Sequence, residues 1–214
     1  MIRLDVFSDP VCPWCYIGKA NLDRALENTA DHPFAVEWHP FQLNPDMGPD
    51  GVDRVAYLEA KFGGAERVSG ITAHLETVSK EAGLAIDFAR ISRIPNTLNA
   101  HRLIHWAGLE GKQTAMVSAL FKAYWREGRD IGNAGTLAAM AGEIGLDADV
   151  MARLLASDAD IQAITDRDAH ARSRGISAVP TFVIADQYVV SGAQPPQMWA
   201  QVIEELTAKG QPVQ

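Results

Sequence analysis

Strand-type patterning occurs only at the two ends of this chain, and that separation constrains the fold more than any other feature. Ile2, Leu4, Val6 and Phe7 form a short, mostly alternating β run with Asp5 between them, and Ser8-Asp9-Pro10 breaks it. A helical pattern follows from about Pro13 to Asn28, where Ile17, Ala20, Leu22, Ala25 and Leu26 recur near the helical period. Phe34 to Leu43 then reads as a second strand, with Phe34, Val36, Trp38 and Pro40 on one face. Together these make a βαβ unit, whose crossover is expected to be right-handed.

From about Val52 to Arg174 the periodicity is almost wholly helical. Segments near 52–63, 66–82, 97–110, 113–127, 134–144, 147–156 and 158–174 are separated by Gly, Pro, Asp or Asn. Asp147 is placed to cap the helix it precedes, and Gly145 to stop the one before. Leu84 to Arg93 fits an extended loop between helices. Strand character returns at Thr181 to Ile184 and Gln187 to Val190, across a turn at Ala185-Asp186. Gln197 to Ala208 reads as a closing helix, opened by Pro195 or Pro196. The expectation is an α/β protein. Residues 1–43 and 175–214 form one domain, and residues 44–174 form an all-helical insertion between its second and third strands.

With 214 residues the chain is long enough to bury a substantial core. Its net charge of −8 argues against nucleic acid or an anionic membrane as a partner, because both call for a basic surface. No run approaches the roughly 20 apolar residues of a membrane span. Met1 to Ser8 carries Arg3 and Asp5 within a short apolar run and lacks the features of a secretory leader, so the expected compartment is the cytoplasm.

The two cysteines lie in Cys12-Pro13-Trp14-Cys15, at the junction of the first strand and the first helix. In a reducing compartment such a pair more often does redox or metal chemistry than structural stapling. A thiol at a helix N-terminus meets the positive end of the macrodipole and unpaired backbone N–H groups, which favour the reactive thiolate. Pro13 suits a first helical position, since the N–H it lacks would have had no partner. On this reading Cys12 is the exposed attacking sulfur and Cys15, one turn in, the buried resolving one. Two other readings stay open. Half of a structural zinc site would need two further ligands, and the i, i+4 pair His101 and His105 has no evident route to Cys12. Two inert core thiols are the other. Pro180, in Val179-Pro180-Thr181-Phe182, sits where a proline opens a strand, and an ordinary trans bond is the general expectation there.

Taken together, these segments resemble the thioredoxin superfamily, and the long helical insertion narrows the likeness to its DsbA-like branch. DPVCPWCYIGK (Asp9 to Lys19), PFQLNP (Pro40 to Pro45), NTLNAHRL (Asn96 to Leu103), GISAVPTFVI (Gly175 to Ile184) and VSGAQPPQMW (Val190 to Trp199) are similar to the FrnE-like group of cytoplasmic dithiol–disulfide oxidoreductases. The resemblance runs from about residue 2 to 208. It implies a thioredoxin-like fold with Cys12 as nucleophile, Cys15 as resolving thiol and Pro180 as a cis proline beside them. It also implies that the Val179 backbone pairs with an extended substrate segment, and that Pro13 and Trp14 shape the surface around the sulfur. Asn96 and His101 are candidates to line the cleft facing Cys12, with His39 a weaker one. Trp38, Trp106, Trp125, Phe121 and Tyr124 are expected in the core. The helices around Leu103, Phe121 and Met140 are expected to cover the active-site face.

Pro-Trp between the cysteines supplies no cation to the Cys12 thiolate. The expected reduction potential is therefore less oxidising than that of periplasmic DsbA. The implied partners are disulfide- or thiol-containing proteins or small molecules. No cofactor or metal is required, glutathione is a candidate co-substrate, and the chain is a monomer or a homodimer. Two alternatives stand beside this function. The 2-hydroxychromene-2-carboxylate isomerase and kappa-class glutathione transferase families resemble the chain in layout, but typically place serine at the position of Cys12. The other alternative is a non-enzymatic module with structural or zinc-bound thiols.

Overall fold

The apolar run at the N-terminus becomes an inner strand. In a computed structural model, which describes residues 1–29 and 31–210, β1 (Ile2–Ser8) leads through α1 (Pro13–Glu27) to β2 (Phe34–Pro40). β1 pairs with β2 in parallel, placing Val6 opposite Trp38 and Asp5 opposite Glu37. After the helical stretch come β5 (Thr181–Ile184), β6 (Tyr188–Ser191) and α9 (Pro196–Gly210). β5 pairs antiparallel with β1, and the sheet runs β2-β1-β5-β6. A strand buried on both faces needs apolar residues on both, and β5 has them: all four of its residues are buried. Ala185 and Asp186 both take positive φ, 52° and 57°, closing the β5–β6 hairpin in the left-handed turn that matches strand twist.

Between β2 and β5 lie β3 (Val52–Asp53), α2 (Arg54–Phe62), α3 (Ala65–Glu81), β4 (Arg93–Ile94), α4 (Leu98–Leu109), α5 (Gln113–Trp125), α6 (Ala134–Glu143), α7 (Ala148–Leu155) and α8 (Ile161–Ser173). The helix expected from residue 52 therefore starts two residues later. Val52 and Asp53 pair with Ile94 and Arg93 in a small antiparallel ribbon, and Asp53 caps α2 by accepting from the Ala56 N–H at 2.9 Å. The expected loop at 84–93 holds a 3₁₀ turn, Phe88–Arg90, before β4. Two-residue strands have no period to detect. Asp147 caps α7 through the Val150 N–H at 3.0 Å, and Gly145 follows α6 at φ +79°.

β2 stops at Pro40, short of the expected Leu43. There the backbone donors pass from the strand ladder to side chains. The Gln42 N–H goes to Asp168 and the Leu43 N–H to Asp9, each at 2.7 Å.

The buried core runs without a break from the sheet into the helices, joining Leu4, Phe182 and Trp199 to Leu103, Leu120 and Met140. Phe182 meets Trp199 edge to face at 4.7 Å, and Tyr16 of α1 stacks on Phe121 of α5 at 5.2 Å. Trp38, Trp106, Trp125, Phe121 and Tyr124 are all buried in it. Leu103, Phe121 and Met140 are buried there too, and of the three helices they mark only α5 reaches the cleft beside Cys12, through Tyr124 and Trp125. The expectation is corrected for α4 and α6, which pack into the core; α2, α3 and the Phe88 turn cover the rest of that face.

Candidate active site

The site is built where β1 hands over to α1. The Cys12 N–H donates to the Asp9 carbonyl at 2.9 Å, a turn that brings the chain round to start the helix. Cys12 is the N-cap of α1, and Pro13 takes its first position. The Trp125 indole N–H donates to the Pro10 carbonyl at 3.0 Å and holds this turn against α5. Both cysteines are free thiols. Cys12, expected to be exposed, is instead buried at 4% and meets the outside only through a cavity of about 340 Å³ that it lines, because the helices over it close the face; Cys15, 1% exposed, lies behind it.

Burial pushes the Cys15 thiol well above its ordinary pKa, and the hydrogen-bonded, like-charged Cys12 sulfur pushes in the same direction. The Asp9 backbone N–H and the Ser8 hydroxyl face the Cys15 sulfur and oppose that shift more weakly. The buried Ser8 oxygen has no other hydrogen-bond partner among the described residues.

The far wall comes from the other end of the chain. The Cys12 thiol faces the Val179 carbonyl at 3.7 Å, and the Val179–Pro180 peptide is cis. Gly18 lets α1 approach this wall closely, since a Cβ there would lie 3.0 Å from Pro180 Cγ. Cys12, Pro13, Trp14 and Val179 therefore meet in one cleft, with buried Pro180 directly behind.

Asn96 and His101 lie elsewhere. The Asn96 amide donates to the Met47 carbonyl at 2.6 Å and its oxygen accepts from the Leu98 N–H at 2.9 Å, so it ties the 42–47 segment to the start of α4. His101, 3% exposed, lies below the cleft with Nε2 3.7 Å from the Asp9 carboxylate, itself fully buried. That nitrogen has no hydrogen-bond partner among the described residues.

His105 contacts Arg167 instead, its Nδ1 lying 3.3 Å from the guanidinium. Among the described residues, the acids and histidine within metal-ligand reach of one another are Asp5, Glu37 and His39, away from the cysteines. Arg167 approaches the His39 Nδ1 at 3.2 Å. Arginine can only donate, so His39 carries its proton on Nε2 and gives it to Asp5 at 2.7 Å. A metal would need that same Nε2 lone pair.

The sequence reading missed Asp9, Asn44, Arg54, Tyr57 and Lys61. Arg54, Tyr57, Leu58 and Lys61 follow the i, i+3, i+4, i+7 pattern of one helix face and line the cleft. The pattern was visible in the sequence, but what the face turns toward was not.

The profile of the DSBA-like thioredoxin domain family matches residues 3–204. The chain belongs to the DsbA-like thioredoxin family. YwbO, an uncharacterized protein of Bacillus subtilis, is 28% identical over 97% of this DsbA-like chain and 98% of its own. A structure described as a probable DsbA oxidoreductase from Streptomyces coelicolor is 29% identical, covering all of this chain and 93% of that one with a TM-score of 0.86. Two more distant structures share the fold. A 2-hydroxychromene-2-carboxylate isomerase has a TM-score of 0.74 at 16% identity, over 97% of both chains. The cytosolic disulfide reductase DsbM from Pseudomonas aeruginosa, solved with GSH, has a TM-score of 0.70 at 20% identity, over 96% of this chain and 99% of its own. No helix among the described residues is long and apolar enough to cross a membrane.

Proposed function

We propose that this DsbA-like protein is a thiol–disulfide oxidoreductase of the FrnE-like kind, acting in the cytoplasm. The observation that carries the reading is the asymmetry of the pair, with Cys12 on a cleft at a helix N-cap and Cys15 buried behind it with its proton held tightly. In the reducing direction, Cys12 as thiolate attacks a substrate disulfide sulfur. The substrate S–S bond breaks, one substrate thiolate leaves, and a mixed disulfide forms. Cys15 then loses its proton and attacks the Cys12 sulfur. The second substrate thiolate leaves, and a Cys12–Cys15 disulfide remains. In this direction two molecules of an external thiol such as glutathione reduce the Cys12–Cys15 disulfide and leave as their own disulfide; the oxidising direction runs the steps backwards, and a small disulfide such as oxidised glutathione restores the pair. Val179 offers backbone for an extended substrate to pair with, and Trp14 and Pro13 border its path.

The test is Cys15→Ser. A mixed disulfide that accumulates at Cys12 and resolves only with added thiol supports this reading. A variant that turns over as fast as the parent sinks it. That result would favour glutathione-dependent isomerisation or transfer, which needs no resolving sulfur.

A further inference from the structure

We propose that the Cys12 cleft selects small disulfides and thiols that carry carboxylates, with Arg54 and Lys61 forming their anion subsite. This inference rests on the reading of Cys12 as the nucleophile.

The chain has 27 Asp and Glu residues against 19 Lys and Arg, yet among the described residues the cleft lining includes no Asp or Glu. Its charged side chains are Arg54 and Lys61. Both project from one face of α2, seven positions apart with Tyr57 between them. The Arg54 guanidinium lies over the Phe88 ring at 5.3 Å. The titratable group acting on it is the Tyr124 phenol, which is no counter-ion at neutral pH. Lys61 contacts the Tyr57 hydroxyl at 3.0 Å and lies over the same ring at 5.2 Å, while that hydroxyl bonds to Asn44.

Among the described residues no carboxylate pairs with half-buried Arg54, so it bears a desolvation cost that an arriving anion offsets. The protein's other acids keep anions away from most of its surface, so a positive cleft concentrates them at the sulfur. Most of the remaining wall is apolar, including Trp14, Phe62, Ile71 and Trp125, with Asn44, Thr72 and Ser177 as uncharged polar exceptions. About 340 Å³ suits a body of roughly tripeptide size. The ligand chemistry is therefore an aliphatic stem with a terminal carboxylate and a sulfur that reaches Cys12.

The test is single-turnover oxidation of the reduced protein, read by loss of free thiol. Three small disulfides serve as probes: 3,3′-dithiodipropionate (dianionic), bis(2-hydroxyethyl) disulfide (neutral) and cystamine (dicationic). Each rate is divided by that disulfide's rate with free dithiothreitol, which removes differences in leaving group. The expected order is dianion, neutral, dication, with about a tenfold preference for the dianion over the neutral probe. The preference shrinks at high salt. It collapses toward unity in Arg54→Gln/Lys61→Gln and survives in Arg54→Lys. If the double variant fails to fold, Lys61→Gln alone, altering an exposed side chain, must still lower it. Equal normalised rates for the three probes in the parent overturn the inference, as does a preference the variants leave intact. A charge preference seen only with acidic protein disulfides overturns the small-molecule assignment. If no disulfide oxidises the pair, the proposed redox function itself fails.

Discussion

Cys15 shows how one residue's surroundings set a rate. Its thiol is held protonated mainly by burial, with the Cys12 sulfur adding to the effect. Once Cys12 enters a mixed disulfide its charge is gone, but the burial remains. Resolution needs the Cys15 thiolate, so its rate is expected to climb about tenfold per pH unit from neutral pH upward until Cys15 titrates. Stopped-flow measurement of mixed-disulfide decay between about pH 6 and 9 checks this, and a flat profile contradicts it. The same shift acts on stability. A thiol whose folded pKa is raised contributes fully below its unfolded pKa of about 8.5, and that contribution disappears as pH rises through the folded value. The reduced protein should therefore lose more stability in alkali than Cys15→Ser, as read from urea midpoints at each pH.

At the scale of elements, Arg102 joins two helices that sequence spacing leaves unrelated. It lies in α4, 1% exposed, and donates to the Ala159 and Ser157 carbonyls at 2.7 Å and to Leu154 at 2.8 Å. These oxygens belong to the end of α7 and the turn after it, where a helix leaves carbonyls unpaired and favours positive charge. The guanidinium also sits over the Trp106 ring at 4.9 Å, and the indole N–H donates to Asp160 at 2.8 Å. Arg102→Met fills similar space but strands those carbonyls. The expected cost is about 3 kcal/mol, measurable by chemical denaturation, and a cost under about 1 kcal/mol would show that water takes over the carbonyls. The α2–α3 wall presents the opposite case. No residue of α2 is buried, so its inward face meets the cleft rather than the core. A substitution there is expected to alter substrate choice before it alters folding.

For the whole molecule, the unbroken core decides how it unfolds. Leu4 and Trp199 share one buried cluster with Leu103, Met140 and Met151, so the helices between β2 and β5 cannot lose their packing without exposing the sheet. A single cooperative transition is expected, with tryptophan fluorescence and far-ultraviolet circular dichroism coinciding. Two separated transitions would show that residues 44–174 fold as an independent body. The candidate active site depends on this unity. Cys12 comes from the first strand–helix junction, Val179 from the approach to β5, and Arg54 from the intervening helices.

What sequence determined by itself was whatever rests on local periodicity and on contiguous motifs. The helices from α3 to α8 followed from 3.6-residue spacing, the Asp147 cap from one residue's position, and the placement of Cys12-Pro13-Trp14-Cys15 at a strand-to-helix junction from the break after the first strand. The tertiary structure alone decided which side chains share a space. Asn96 and His101 stand in a segment similar to known oxidoreductases, yet one pins a loop and the other faces Asp9 beneath the cleft. Arg54 and Lys61 drew no notice in the sequence, and they supply the cleft's charge. The reason is physical. Periodicity records that a face is apolar or charged, whereas its partner is chosen by packing among residues far apart in the chain.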